Sequence, residues 1–166
     1  MAHAWVSIGT NIERRKNITL ALRLLEARYG ALERSSVYES DAVGFDSAPF
    51  YNLVVGFHCE ESPLALQAQL HAIETESGRA RTSALAARTL DLDLLLYDDQ
   101  VIDEEGLVLP REDITRYAFV LCPLAEIAPN ERHPVSGRRY ADHWADFDAD
   151  AQPPLRRVDW PPVRVI

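Results

Sequence analysis

Apolar positions alternate along some stretches of this chain and recur at helical spacing along others, and the two rhythms mark out its elements. Residues 4–8 read as a short strand, closed by the turn Gly9-Thr10-Asn11. From Asn17 the spacing changes. Ile18, Ala21, Leu22 and Leu25 fall on one helical face, and Gly30 supplies the stop. Residues 32–38 form a second strand candidate. Residues 39–49 carry Gly, Ser, Asp and Pro, and read as a loop long enough to hold function. Phe50–Cys59, rich in aromatic and β-branched residues, is a strong strand. Ser62-Pro63 then opens a helix, with Ser as the cap and Pro at the first helical position. Leu66, Leu70 and Ile73 line its buried face, and Gly78 closes it.

Residues 79–87 are small, polar and basic, without periodicity. They lead into Arg88-Thr89-Leu90-Asp91-Leu92-Asp93-Leu94-Leu95-Leu96-Tyr97, which alternates strictly and then turns wholly apolar. Leu90, Leu92 and Leu94 share one face of an extended strand; Asp91 and Asp93 share the other. Asp98-Asp99 marks a tight turn into Val101-Ile102, and Leu107–Leu109 completes a hairpin. Residues 117–128 are apolar and read as helical toward their end, with Pro123 limiting their regularity. Residues 139–147 suggest a last helix. Residues 148–166, with four prolines, read as an extended tail to a domain spanning residues 1–147.

The order strand, helix, strand, strand, helix, strand is that of a ferredoxin-like βαββαβ sandwich, an α+β fold with helices on one face of an antiparallel sheet. The additional hairpin and short C-terminal helices follow it. The other sheet face is then available for ligands.

Composition narrows the function. At 166 residues, 47% apolar and 26% charged, the chain is ordinary globular material able to bury a core. It holds no apolar run long enough to span a membrane and no signal-peptide pattern near Met1, so neither a membrane nor export is expected, and the cytoplasm is the default. Cys59 and Cys122 are isolated in apolar segments and read as reduced core thiols. A formal net charge of −9 weighs against nucleic acid as a partner. Of the seventeen basic residues only Lys16 is lysine, and the arginine bias suits anions.

Asp is depleted in strands, so two of them on one face of a core strand need a reason. At i and i+2 their carboxylates stand roughly 6–7 Å apart. Each can then give one oxygen to a shared hard-cation site completed by water and phosphate oxygens. A strand with one face in water has the same alternation. There is no P-loop, no G-x-G-x-x-G and no zinc spacing among the histidines. A phosphate-transfer site without a P-loop must neutralise charge with metal ions and arginines, and Arg79, Arg81 and Arg88 lie just before Asp91. A solvated basic loop with incidental ion pairs is the alternative.

The run from Arg88 to Tyr97 closely resembles the signature of the 6-hydroxymethyl-7,8-dihydropterin pyrophosphokinases of folate synthesis. The similarity extends to Ile8-Gly9-Thr10-Asn11, Ser35-Ser36-Val37-Tyr38 and Phe50-Tyr51-Asn52-Leu53-Val54-Val55. It continues through Ile73-Glu74, Gly78-Arg79-Ala80-Arg81 and the stretch from Phe119 to Pro129, in family order from about residue 4 to 137. The family has the ferredoxin-like fold, and moves the β,γ-pyrophosphoryl group of ATP onto the pterin hydroxymethyl group, releasing AMP.

The resemblance implies a role for each matching residue. Asp91 and Asp93 would hold two magnesium ions. Arg79, Arg81 and Arg88 would act on the phosphates, with Glu74, Arg111 and Arg116 also on the ATP side. Asn52 would hydrogen-bond the pterin edge, Phe50 and Phe119 would enclose the ring, and the backbone around Val43 would complete the pocket. The partners implied are the pterin and ATP, bound by a monomer.

The chain departs from the family pattern in several places. Ala84-Leu85-Ala86-Ala87 replaces a Trp and Gly-Pro, and Ser40-Asp41 replaces Thr-Pro. Arg111 stands where a histidine is usual, and Tyr117 where an arginine is usual. Gly106 and Val108 replace polar nucleotide contacts. The alternatives to pyrophosphoryl transfer onto this pterin are a paralogue acting on another pterin or nucleotide, a pterin-binding protein with little catalysis, and a metal-dependent nuclease.

Overall fold

Alternation through β1 (Ala2–Thr10) creates a strand with two different faces, and this difference organises the fold. Ala4, Val6 and Ile8 enter a core under the helices, whereas Trp5 joins a second core on the opposite face. The computed structural model describes residues 1–41, 48–78, 90–104 and 106–160. After β1 come α1 (Arg14–Tyr29), β2 (Glu33–Arg34), β3 (Tyr38–Ser40), β4 (Phe50–Cys59), α2 (Pro63–Gly78) and β5 (Asp91–Tyr97). The hairpin β6 (Ile102–Glu104) and β7 (Leu107–Leu109) follows, then α3 (Asp113–Arg116), α4 (Ala118–Ile127), α5 (Tyr140–Asp146) and β8 (Arg156–Arg157).

Strands β5, β1, β4, β3 and β8 lie side by side in that order, all antiparallel, with β2 also paired to β4. This is the ferredoxin-like arrangement. Ile18, Leu22 and Leu25 of α1 and Leu66 and Leu70 of α2 are essentially fully buried against one sheet face. Fully burying each such side chain contributes about 1.5–3 kcal/mol. The predicted cap forms as well, since Ser62 Oγ accepts the Ala65 N–H at 3.2 Å.

The second face is half covered. Val120, Leu121 and Leu124 of α4 pack on Trp5, Val54, Leu95 and Leu96, together with Ile114 and the wholly buried Tyr140. This burial carries α4 straight through Pro123, despite a cost of about 3 kcal/mol for an interior proline. It also explains the apolar end of β5. Val6 faces Leu94 and Trp5 faces Leu96, so Leu95 is an extra residue in a bulge. The bulge turns both Leu95 and Leu96 toward the α4 core.

Residues 32–38 do not make one strand. Ser35 Oγ accepts the Val54 N–H at 2.9 Å, while the Ser36 N–H and hydroxyl both donate to Glu126. These local side-chain bonds interrupt the ladder and leave two short pieces, β2 and β3. Residues 148–160 lie against the body rather than away from it. Gln152 bridges the Ala118 amide and the Arg116 carbonyl, and β8 pairs with β3. Cys59 is buried and Cys122 half-buried, and burial raises both thiol pKa values. No helix among the described residues is long and apolar enough to cross a membrane.

Candidate active site

Where α4 stops covering the second sheet face, a cleft of about 380 Å³ opens over the ends of β5, β1, β4 and β3. Its floor follows from strand register. Asp91 faces Gly9, Gly9 faces Asn52, and Asn52 faces Tyr38; one step away, Asp93 faces Ser7. Because side chains alternate, all these positions point to the same side. Gly9 leaves the space that Asn52 fills: a Cβ on it would come within 2.7 Å of Asn52 Oδ1. Asn52 is buried, and its Nδ2 donates to Ser40 Oγ at 3.3 Å.

The walls differ in character. Phe50, Tyr117, Phe119 and Val120 make one side apolar, and the Tyr117 and Phe119 rings stack with centroids 5.0 Å apart. Asp41 lies just beyond β3, whereas Asp93 and Asp113 gather with Asp91 at the β5 end. Arg111 stands over these carboxylates, its guanidinium 3.6 Å from Asp93 and 3.3 Å from Asp113. Its backbone N–H donates to the carbonyl of the bulged Leu95, so the bulge that turns Leu95 inward also anchors Arg111. A neighbouring hollow of about 350 Å³, lined by Gln67, Leu94, Gly106, Leu107, Val108 and Arg111, shares Asp113 with the cleft.

Glu74 of α2 lies at the outer edge of β5. One carboxylate oxygen accepts the Leu92 N–H at 2.8 Å, between the two aspartates. Burial raises its pKa, and the nearby Asp91 and Asp93 charges push it the same way.

The arrangement fits hard cations. Among the described residues no group of three or more His, Cys, Asp or Glu side chains forms a ready-made metal cage. Paired carboxylates on a cleft floor instead offer a few oxygens and leave the rest of the coordination shell to phosphate and water, the usual habit of magnesium. The guanidinium set against Asp93 and Asp113 shows that this corner accommodates positive charge.

The structure therefore brings together Asp91, Asp93, Phe50, Asn52 and Phe119 in one cleft, with Arg111 at its rim. Arg116 points elsewhere, pairing with Glu112 at 3.5 Å on the exposed side of α3. Val43, Arg79, Arg81 and Arg88 lie outside the described residues. Ser7, Gly9, Ser40, Asp41, Asp113 and Tyr117 join the cleft without having been singled out for it. Gly9, expected to open a turn, instead lies inside β1, where a glycine often marks close approach. A larger groove of about 700 Å³ lies between α1, residues 34–37 and residues 157–160. It includes neither Asp91 nor Asp93, so size alone does not identify the site.

Comparison with known proteins gives the family and the fold. Residues 5–129 match the family described as 7,8-dihydro-6-hydroxymethylpterin-pyrophosphokinase (HPPK). A Pseudomonas aeruginosa protein named 2-amino-4-hydroxy-6-hydroxymethyldihydropteridine pyrophosphokinase is 41% identical over 136 residues, covering 78% of this chain and 83% of that protein. A Haemophilus influenzae protein of the same name is 35% identical over 153 residues, covering 86% and 96%. The fold is similar to that of the wild-type Plasmodium falciparum HPPK-DHPS crystal structure, with a TM-score of 0.69 at 15% identity. That likeness covers 87% of this chain and 44% of the Plasmodium chain. By sequence pattern and by these relatives, the chain belongs to the 7,8-dihydro-6-hydroxymethylpterin-pyrophosphokinase family.

Proposed function

We propose that the protein transfers the β,γ-pyrophosphoryl group of ATP to the hydroxymethyl group of 6-hydroxymethyl-7,8-dihydropterin, releasing AMP. The observation that carries this reading is the shared floor of the cleft. Asp91 and Asp93 stand on the same sheet face as Asn52, separated from it by the single strand β1.

The two ends of the cleft then have different tasks. At the aromatic end, Phe50 and Phe119 flank a flat heteroaromatic ring, and the Asn52 amide offers one donor and one acceptor to its edge. At the acidic end, Asp91 and Asp93 are the groups that would hold two magnesium ions. Magnesium bound there would neutralise the phosphate charges and fix the phosphates for in-line attack. Arg111 supplies further positive charge beside them. The substrate hydroxyl oxygen forms a bond to the β-phosphorus and gives up its proton to water, the bond from that phosphorus to the α,β-bridging oxygen breaks with its electron pair staying on that oxygen, and AMP leaves. Holding the hydroxyl and the β-phosphorus in line is the main task of the protein. We assign Arg79, Arg81 and Arg88 to the phosphates on the strength of their place before β5 and their match to the family pattern.

The decisive experiment is incubation with ATP, magnesium and the reduced hydroxymethylpterin. AMP and the pterin diphosphate should form in equal amounts. A folded protein that releases ADP, or nothing, refutes this assignment.

A further inference from the structure

Strand β3 is only three residues long, yet it carries Ser40, the hydrogen-bond partner of Asn52. A strand that short at a sheet edge frays easily. Here it is not an edge, because β8 pairs along its outer side, Glu39 with Arg156 and Tyr38 with Arg157. Arg156 adds two side-chain bonds, from Nε to Glu39 at 3.0 Å and from Nη2 to Asp41 at 3.2 Å. The other oxygen of Glu39 accepts from Arg14 of α1 at 2.7 Å. Arg14 in turn donates to the Pro49 carbonyl at 3.1 Å and lies 4.1 Å over the Tyr51 ring.

We propose that Arg156 is a positioning residue for the ring-binding end of the cleft: through Glu39 and Asp41 it holds β3, and with it Ser40 and Asn52, in the binding arrangement. This rests on the functional reading above, which places the pterin ring at Asn52. Arg156 itself is not among the residues lining the cleft, and it lies outside the segment that matches the family. Its effect is through population. The ring binds only when Ser40 and Asn52 are in place, so the apparent affinity scales with the fraction of molecules in which β3 is docked. Single half-exposed ion pairs contribute little. Here one guanidinium spans two carboxylates, and one of those carboxylates is shared with Arg14 of α1, which ties β8, β3 and α1 at one point.

The test is equilibrium titration of the reduced hydroxymethylpterin into wild type, Arg156→Ala, Arg156→Lys and Asp41→Asn, with the KM for ATP measured alongside. The expected result for Arg156→Ala is pterin affinity weakened about fivefold, with kcat at saturating pterin and the KM for ATP changed by less than about twofold. Arg156→Lys, which keeps the charge but not the fork that spans both carboxylates, should recover only part of the affinity, and Asp41→Asn should show a smaller loss in the same direction. Unchanged pterin affinity in folded Arg156→Ala overturns the proposal. So does an equal loss on the ATP side, which would mark a general structural role. If Arg156→Ala does not fold, Arg156→Gln, which keeps a hydrogen-bond donor without the charge and lies outside the cleft lining, decides by the same split. A wild-type protein that binds no pterin overturns the functional reading together with this role, whereas unchanged affinity in the variants overturns the role alone.

Discussion

Gly9 and Asn52 are cross-strand neighbours, and the side chain of Asn52 occupies the space that a Cβ on Gly9 would need, with Oδ1 2.7 Å from it. Gly9→Ala should therefore act on the substrate more than on the fold. The backbone can accept alanine in a strand, but the buried Asn52 amide must shift away from residue 9, which disturbs its bond to Ser40. We expect pterin affinity to fall about tenfold, the equivalent of one lost hydrogen bond of ~1.4 kcal/mol. Isothermal titration gives the affinity and thermal melting the stability. A melting point lowered strongly with affinity unchanged would contradict this account.

Asp91→Asn and Asp93→Asn should each reduce turnover by about a hundredfold or more, the scale seen when one charge-stabilising group is removed from a polar active site. Stability should hardly move. Asp93 and Arg111 are both about one-third exposed, at 32% and 36%, and such exposed pairs are worth under about 1 kcal/mol. Arg111 also keeps Asp113 as a partner at 3.3 Å. Single-turnover AMP formation and a melting curve separate the two effects; collapse of the fold would make the aspartates structural.

Much of this was legible in the chain. The βαββαβ order, the Ser62 cap and the one-sided Asp pair follow from periodicity and local chemistry, which act over a few residues. The half-covered second face did not, because it depends on the Leu95 bulge, and a register shift of one residue is invisible without the partner strand. Asp113, Ser40 and Tyr117 reach the cleft for a similar reason. Ser40 lies far in sequence from Asp113 and Tyr117, and only the sheet order and the turn after β7 bring them to one cleft. The pairing of residues 156–157 with β3 was equally hidden, since two residues are too few to show a strand rhythm.

Phe119 is the ring most exposed to test. It stacks on Tyr117 with centroids 5.0 Å apart and planes at 22°, so it presents a stiff apolar wall. Phe119→Ala removes that wall and should weaken pterin binding by about tenfold, on the basis of ~0.5–1.5 kcal/mol per aromatic contact beyond simple burial. The KM for ATP should stay within about twofold, because the acidic end of the cleft keeps its side chains. Equal losses for both substrates would place Phe119 between them rather than at the ring end.

Glu74 links the pH dependence of stability to the site. Its pKa is raised above the ordinary 4.5, first by burial and then by repulsion from Asp91 and Asp93, against the opposing pull of the Leu92 N–H and His71. A carboxyl with a raised pKa binds more protons folded than unfolded, so stability falls as the pH climbs from 4.5 through the raised value. Glu74→Gln retains a carbonyl to accept the Leu92 N–H at the edge of β5 but carries no charge. The variant should therefore match the wild type near pH 4 and gain on it progressively toward pH 7. Denaturant melts taken at intervals across that range provide the measurement. A variant that loses the same stability at every pH would show that the Leu92 hydrogen bond, not the charge, governs this contact.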